Sequence, residues 1–141
     1  GAREQETSLI VLTSVLAALL AGPERSATLN LNFDSGGRSG EVMVAIFDDE
    51  DAWKRREGAV RTLKVQPGRT VRVEGLRAGR YGIMAFLDRN GDGRLNTLPI
   101  GLPTEPYGFS RNARGAFGPP GWRSASFTVG DGLATQSIRL R

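Results

Sequence analysis

The sequence predicts an all-β protein: an antiparallel β-sandwich of about seven strands, with one short helical turn and one long structured loop. From residue 28 onward, apolar and polar side chains alternate with a period of two, which is typical of strands that bury one face. The 19 glycines and 7 prolines divide this pattern into short segments, which favours strands over long helices. At 141 residues, the chain has the length of one domain.

An apolar run at residues 9–21 precedes the alternating part of the chain. It is shorter than the roughly 20 residues that a helix needs to cross a bilayer, and it is typical of a secretory signal with Ala21 and Gly22 near the cleavage point. A buried core helix is the alternative, although apolar residues cover nearly every face of the run rather than one stripe. The sequence therefore predicts a signal-like segment and linker at residues 1–27 and a β-sandwich domain at residues 28–141. We expect a periplasmic or secreted mature protein without a transmembrane span.

The first two strands of the domain differ in their patterns. Residues 28–34 place Leu29, Leu31 and Phe33 on one face and polar residues on the other, which predicts a strand with one buried face. Residues 41–47 are apolar on both faces, which predicts a strand in the middle of a sheet.

A short helical turn is predicted directly after the second strand. The acidic run 48–51 precedes residues 52–56, so that acids lie at the start of the turn and bases at its end, as the helix dipole favours. These acids could instead act in catalysis or metal binding. Catalysis by paired carboxylates requires two acids that face each other across a cleft, and the sequence offers Asp48 and Asp88, each at the end of a core strand.

The remaining strands are predicted as one further core strand and two hairpins. Residues 60–65 and 70–76 flank a Gln-Pro-Gly turn, and residues 124–129 and 134–140 flank a Gly-Asp-Gly turn. Residues 80–87 are apolar on both faces and form the second core strand. Between residues 89 and 122 no periodicity is sustained, which predicts a structured loop with at most a short edge strand.

The composition excludes most common catalytic chemistry. Because the chain has no His and no Cys, it cannot form a Cys/His zinc site, a thiol nucleophile, a Ser-His triad or a disulfide. The net charge of +4 comes from basic residues that are scattered along the chain, so we do not expect nucleic-acid binding. We expect no catalytic residues and no organic cofactor.

A candidate calcium loop follows the second core strand. Oxygen-bearing side chains at loop positions 1, 3, 5 and 9, a glycine at position 6 and a backbone carbonyl at position 7 match the first nine positions of a Ca²⁺-binding loop. The predicted ligands are Asp88, Asn90, Asp92, Arg94 (through its backbone carbonyl) and Asn96.

The rest of this loop departs from the calcium pattern. Position 12 is Pro99 instead of a bidentate Glu, and Arg89 lies beside the acids, so we expect weak binding with a Kd of about 10⁻⁴ to 10⁻³ M. Glu105 is a candidate for a further ligand. The alternative is that the two dipeptides 90–91 and 92–93 simply form turns after a strand.

Aromatic, Arg and Asn residues alternate in the second half of the long loop. Such side chains can stack on sugar rings or bases and bind hydroxyls or phosphates. The alternative is that the aromatic residues anchor the loop on the sandwich, because a loop without secondary structure needs apolar anchors. The candidate ligand surface consists of Tyr107, Phe109, Arg111, Asn112, Arg114 and Trp122.

An ordered set of motifs resembles a bacterial secreted family known as domain of unknown function 2141. It includes GRY at 79–81, FLDRNGDG at 86–93, GLP at 101–103, YGFS at 107–110 and FGPP at 117–120. The resemblance implies a secreted or periplasmic sandwich similar to prealbumin-like and carboxypeptidase-regulatory-like domains, with an Asp-rich loop that takes a cation. It implies no activity. Members often carry Asp near the end of that loop, where this chain has Asn96.

The function expected from the sequence is that of an exported, non-enzymatic binding or structural module with a weak Ca²⁺ loop. The expected partner is a glycan or another protein of the cell envelope. One alternative is an enzyme that uses Asp48 and Asp88 on a sugar. Another is a purely structural interaction module without a metal.

Overall fold

Two β-sheets enclose one apolar core in the computed structural model, which describes residues 26–93, 105–116 and 118–141. The predicted signal-like run at 9–21, the loop residues Arg94 and Asn96, and Phe117 lie outside the described residues. The elements are β1 (Ser26–Asp34), β2 (Glu41–Phe47), α1 (Glu50–Arg55), β3 (Arg61–Val65), β4 (Val71–Arg77), β5 (Gly79–Asp88), β6 (Tyr107–Phe109), a 3₁₀ turn (Ser110–Asn112), α2 (Trp122–Ala125), β7 (Phe127–Val129) and β8 (Leu133–Arg139). The predicted all-β fold is confirmed.

The two sheets contain three and five strands. The smaller sheet has the order β4-β1-β8, and the larger has the order β3-β2-β5-β6, with β7 paired to the other end of β5. One pair departs from the predicted antiparallel arrangement, because β1 and β8 run parallel from Thr28 opposite Leu133 to Asp34 opposite Arg139. The other paired strands described here are antiparallel.

The two predicted hairpins are wrong. Strand β3 pairs with β2 and β4 pairs with β1, so the connection at residues 66–70 crosses from one sheet to the other. In the same way β7 pairs with β5, whereas β8 pairs with β1. Ser124 and Ala125, which were predicted as strand, belong to α2. The alternation of apolar and polar side chains indicates which face of a strand is buried. Because strands of both sheets bury a face in this core, the alternation does not identify the partner strand.

The core forms where the inward faces of the two sheets meet. Leu29, Leu31 and Phe33 of β1 are at most 2% exposed, as the alternation predicts. They share a cluster with the inward residues of β2 and β5, which occupy central positions as predicted. Burial of each large aliphatic or aromatic side chain stabilises the fold by about 1.5–3 kcal/mol.

A second apolar cluster lies on the outer face of the five-stranded sheet. Asp49 caps α1, with its Oδ2 accepting a hydrogen bond from the Ala52 amide at 3.0 Å, which confirms the predicted helical turn. Trp53 of α1 is 3% exposed and packs edge-on against Phe47 and Trp122, with ring centroids 5.6 and 5.8 Å apart. A Cβ at Gly82 would lie 2.8 Å from the Trp53 ring, so only a glycine lets the ring pack this closely on β5.

Strand β6 closes one edge of the sandwich and confirms the short edge strand expected in the long loop. Arg141, which lies beyond the end of β8, exchanges two backbone hydrogen bonds of 3.0 Å with Tyr107 of β6. A Cβ at Gly108 would lie only 2.4 Å from the backbone oxygen of Arg139. Glycine at this position therefore allows the two sheets to meet along this edge.

Candidate functional site

Asp88, the last residue of β5, organises the candidate calcium loop. Its side chain is buried, and its two oxygens accept hydrogen bonds from the amides of Gly91 at 3.0 Å and Gly93 at 2.7 Å. Both glycines have positive φ angles (75° and 72°), a conformation that other residues adopt at a cost. The backbone of the loop thus curves around the carboxylate of Asp88.

Glu105 lies beside this carboxylate because of the pairing between β5 and β6. Phe86 is opposite Tyr107, and the Leu87 amide donates to the Pro106 oxygen at 2.8 Å, so the antiparallel register brings Glu105 next to Asp88. Glu105 is also buried, and its Oε2 accepts a hydrogen bond from the Arg89 amide at 2.7 Å. The strand register therefore sets its position.

Asp92 completes a group of three acids. One carboxylate oxygen from each of Asp88, Asp92 and Glu105 lies within 4.8 Å of the others. Asn90 supports Asp92: its Nδ2 donates to Asp92 Oδ2, and its Oδ1 accepts from the Asp92 amide, both at 3.2 Å. Oxygen atoms bound to one Ca²⁺ at 2.3–2.6 Å are at most about 5 Å apart, so the spacing of the three carboxylates suits a single ion.

The carboxylate pair considered for catalysis is not brought together. Strands β2 and β5 are antiparallel, with Glu41 opposite Asp88 and Phe47 opposite Gly82, so Asp48 and Asp88 lie at opposite ends of the sheet. Asp48 lies seven positions along the strand from Glu41, a distance of about 23 Å. Glycosidase carboxylates are about 5–9.5 Å apart. Asp48 and Asp88 therefore cannot act on the same glycosidic bond.

The residues of the candidate ligand surface have different surroundings. Phe109 is 6% exposed, and half-buried Trp122 packs on Trp53 in the second cluster. Half-buried Tyr107 lies beneath the Arg114 guanidinium, whose Cζ is 5.4 Å from the ring centroid. Phe109 and Trp122 thus have the internal packing expected of aromatic anchors.

Arg111 and Asn112 are exposed and connect the loop to β8. Both adopt left-handed φ angles, 59° and 50°. The Arg111 amide donates to Gln136 Oε1 at 2.9 Å, and Asn112 bonds the β8 backbone through both ends of its amide, accepting from the Arg139 amide at 2.9 Å and donating to the Ser137 oxygen at 3.2 Å. The side chain of Asn112 thus extends the ladder of β8.

Sequence reasoning missed an apolar cavity on the outer face of the five-stranded sheet. Its volume is about 610 Å³, and Met43, Met84, Phe86 and Tyr107 line it. The signal in the sequence was the apolar outer side of β2 and β5, which was used only to predict central strands. In the structure these four side chains are only half-buried.

Comparisons with known proteins identify one family. No curated protein and no solved structure matches the chain. None of the helices among the described residues has the length and apolar character that crossing a membrane requires. The model of a family described as "Uncharacterized protein conserved in bacteria (DUF2141)" matches residues 35–137, which include both central strands, the Asp88 loop and β6. The chain therefore belongs to this family of uncharacterised bacterial proteins, as its ordered motifs predicted.

Proposed function

We propose that this protein is an exported, non-enzymatic binding module of the bacterial cell envelope whose loop at residues 88–96 binds Ca²⁺ weakly. One observation carries the proposal: carboxylate oxygens of Asp88, Asp92 and Glu105 converge within 4.8 Å of one another. Hard cations such as Ca²⁺ prefer clustered oxygen ligands of this kind.

The surroundings of the three acids support an ion of modest affinity. Backbone amides from residues 89, 91 and 93 already bond to Asp88 and Glu105, which holds both side chains in place before an ion arrives. Each carboxylate oxygen can accept a second bond, so these hydrogen bonds leave room for a metal contact. The absence of a bidentate Glu at position 12 keeps the expected Kd in the range of about 10⁻⁴ to 10⁻³ M.

The alternative is that this loop is a turn that binds no ion. Its amide bonds to Asp88 would stabilise a turn between β5 and the following segment without any ion. In that case the protein is a structural or interaction module. The two alternatives differ in their response to Ca²⁺.

Thermal and urea unfolding of the purified protein with EDTA, Ca²⁺ or Mg²⁺ tests the ion site. At 10 mM Ca²⁺ and the expected Kd, the folded state gains about 1.4–2.7 kcal/mol, because the ion binds the folded state only. Asp92→Asn and Glu105→Gln should abolish this gain. Glu57→Gln removes an exposed acid elsewhere and should retain it. No Ca²⁺-dependent gain in the parent protein would leave the loop as a turn.

Export is supported by the apolar run at residues 9–21 and by a secreted family resemblance. Fractionation of the source bacterium, with mass spectrometry of the protein's amino terminus, tests it. We expect the protein in the periplasm or medium with an amino terminus near residue 22. A cytoplasmic protein that retains residues 9–21 would contradict export.

The proposed partner is a glycan or another protein of the cell envelope. The exposed guanidinium groups of Arg111 and Arg114, beside the half-buried Tyr107 ring, favour a glycan or another envelope protein. Binding of the protein to a panel of purified envelope glycans, compared with Arg114→Gln, separates the two classes. Loss of glycan binding in the variant would support a glycan, whereas no binding to any glycan would favour a protein partner.

A further inference from the structure

The outer face of the five-stranded sheet carries a cavity of about 610 Å³. Ligand-binding pockets in proteins have volumes of about 300–1,000 Å³ and are mostly apolar, with a few polar groups that orient the ligand. The cavity lies on β2, β3, β5 and β6, away from the core between the sheets.

The strand register explains the floor of the cavity. Phe86 of β5 is opposite both Met43 of β2 and Tyr107 of β6, so these three side chains form a row across the sheet. Ala45 and Met84 form a second row with Phe109. An antiparallel sheet usually presents polar side chains to water on its outer face. Here apolar and adaptable Met side chains occupy that face instead.

The aromatic cluster around Trp53 forms one wall of the cavity. Phe47 and Phe109 belong to that cluster and also line the cavity, and Pro119 contributes to the same side. Since Trp53 is hydrogen-bonded and packed between Phe47 and Trp122, this wall is held by the fold itself. The cavity is therefore a preformed concave surface and not a flat apolar patch.

The charges around the cavity are of one sign. Its lining includes Arg56 and Lys64 and contains no Asp or Glu. Within the part of the chain that the structure describes, neither cation forms an ion pair. The acids that β2 and β5 carry on the same face, Glu41 and Asp88, are opposite each other one residue pair beyond Val42 and Leu87 and do not line the cavity. An apolar ligand with an anionic end is complementary to this arrangement.

We propose that this cavity binds a single-chain amphiphile with a carboxylate, such as a medium-chain fatty acid. The alkyl chain lies on the Met and Phe side chains of the floor, and the carboxylate is next to Lys64. This site is separate from the Asp88 loop and does not depend on calcium binding. It adds an amphiphilic ligand to the function proposed above.

Calorimetric titration of the full chain in EDTA, with octanoate, decanoate, dodecanoate and dodecanol as probes, tests the cavity. Each added CH₂ should tighten Kd about fourfold until the chain fills the cavity, because burial of one CH₂ contributes about 0.8 kcal/mol. Met43→Glu, which places a carboxylate in the floor, should weaken dodecanoate binding at least tenfold. Affinity that is independent of chain length would overturn the proposal.

The chain offers a matched control, because Lys54 and Lys64 are its two lysines. Lys64→Gln should weaken dodecanoate binding about twofold to fivefold and leave dodecanol binding unchanged, as expected for one exposed ion pair. Lys54→Gln, which alters the exposed pair of Lys54 with Glu50 on α1, should change neither.

Lysine acylation of the parent protein provides a measurement that needs no variant. Dodecanoate should protect Lys64 from an amine-reactive acylating reagent and leave Lys54 reactive, as read by peptide mass spectrometry. If dodecanoate did not lower the reactivity of Lys64, the proposal would be overturned. A dimer that forms through this face and excludes dodecanoate, seen by analytical ultracentrifugation, would also overturn it.

Discussion

The indole Nε1 of Trp53 donates a hydrogen bond to the backbone oxygen of Pro120, 2.9 Å away and 67 residues later in the chain. This buried bond joins α1 to the segment that leads into α2, and α2 in turn contributes Ala125 and Trp122 to the same cluster. Two helices of six and four residues are too short to be stable alone, and this shared packing stabilises both. The outer cluster therefore forms only when distant parts of the chain have met.

Gly82→Ala should destabilise the protein by about 1–3 kcal/mol, because the new Cβ would lie 2.8 Å from the Trp53 ring and 2.9 Å from the Trp122 ring. Urea unfolding followed by tryptophan fluorescence measures the change. Gly79→Ala in the same strand meets no atom within 4 Å and should change the free energy of unfolding by less than about 0.5 kcal/mol. Equal effects of the two substitutions would show that ring contact does not limit residue 82.

Asn112→Ala should destabilise the protein by about 1–2 kcal/mol, because it removes two hydrogen bonds to the β8 backbone and retains a side chain at φ 50°. Asn112→Gly loses the same bonds but relieves the left-handed strain. We therefore expect Gly to be more stable than Ala at this position by about 1 kcal/mol, as measured by urea unfolding. A glycine variant that is no more stable than the alanine variant would contradict the strain argument.

Asp88→Asn should destabilise the protein by about 1–3 kcal/mol even in EDTA, since an amide offers one oxygen where the carboxylate accepts from two backbone amides. Asp92→Asn, at an exposed position, should change stability in EDTA by less than about 0.5 kcal/mol. Chemical denaturation in EDTA compares the two. If Asp88→Asn were as stable as the parent, the amide bonds would contribute nothing to the loop.

Tyr81 should make stability depend on pH in the alkaline range. Burial, and to a lesser extent the charge of Asp48, raises the pKa of the Tyr81 hydroxyl above 10.0. The pKa of this hydroxyl is therefore higher in the folded state than in the unfolded state. Its contribution to the free energy of unfolding is fully present below pH 10 and is lost as the pH rises through the folded-state pKa. The hydroxyl donates to the Arg77 oxygen at 2.6 Å, so Tyr81→Phe should cost about 1 kcal/mol at pH 8.

The difference between the parent and Tyr81→Phe should therefore shrink as the pH rises above 10. Urea unfolding of both proteins from pH 8 to 11 measures this difference. Because all other titrating groups are present in both proteins, their contributions cancel in the difference. A difference that stays constant up to pH 11 would contradict the assigned burial of the hydroxyl.

The sequence predicted the elements whose pattern is local. The alternation around Leu29, the apolar run of β2 and the acids before Trp53 each placed an element correctly, because side-chain period and helix capping depend on near neighbours. The partner of β8 and the sheet of β4 depend on contacts between distant residues, which a period of two does not encode.

For the candidate site as well, the sequence predicted the local features and not those that depend on strand pairing. The loop from Asp88 was visible in the spacing of its oxygens, and Glu105 entered as a candidate ligand. Its actual position follows from the pairing of β6 with β5. The cavity was missed because the apolar outer face of β2 and β5 was used only to predict central strands, whereas Met43 and Phe86 remain half-exposed.

The parallel pairing of β1 with β8 has a consequence for the order in which the chain becomes available to fold. Thr28 leaves the ribosome, or any membrane channel that threads the chain amino end first, 105 residues before its partner Leu133. Until then one side of β1, the middle strand of its sheet, has unpaired amides and carbonyls that can pair with another chain. The small sheet is thus the last part to close. Covering β1 during that interval would prevent it from pairing with another chain.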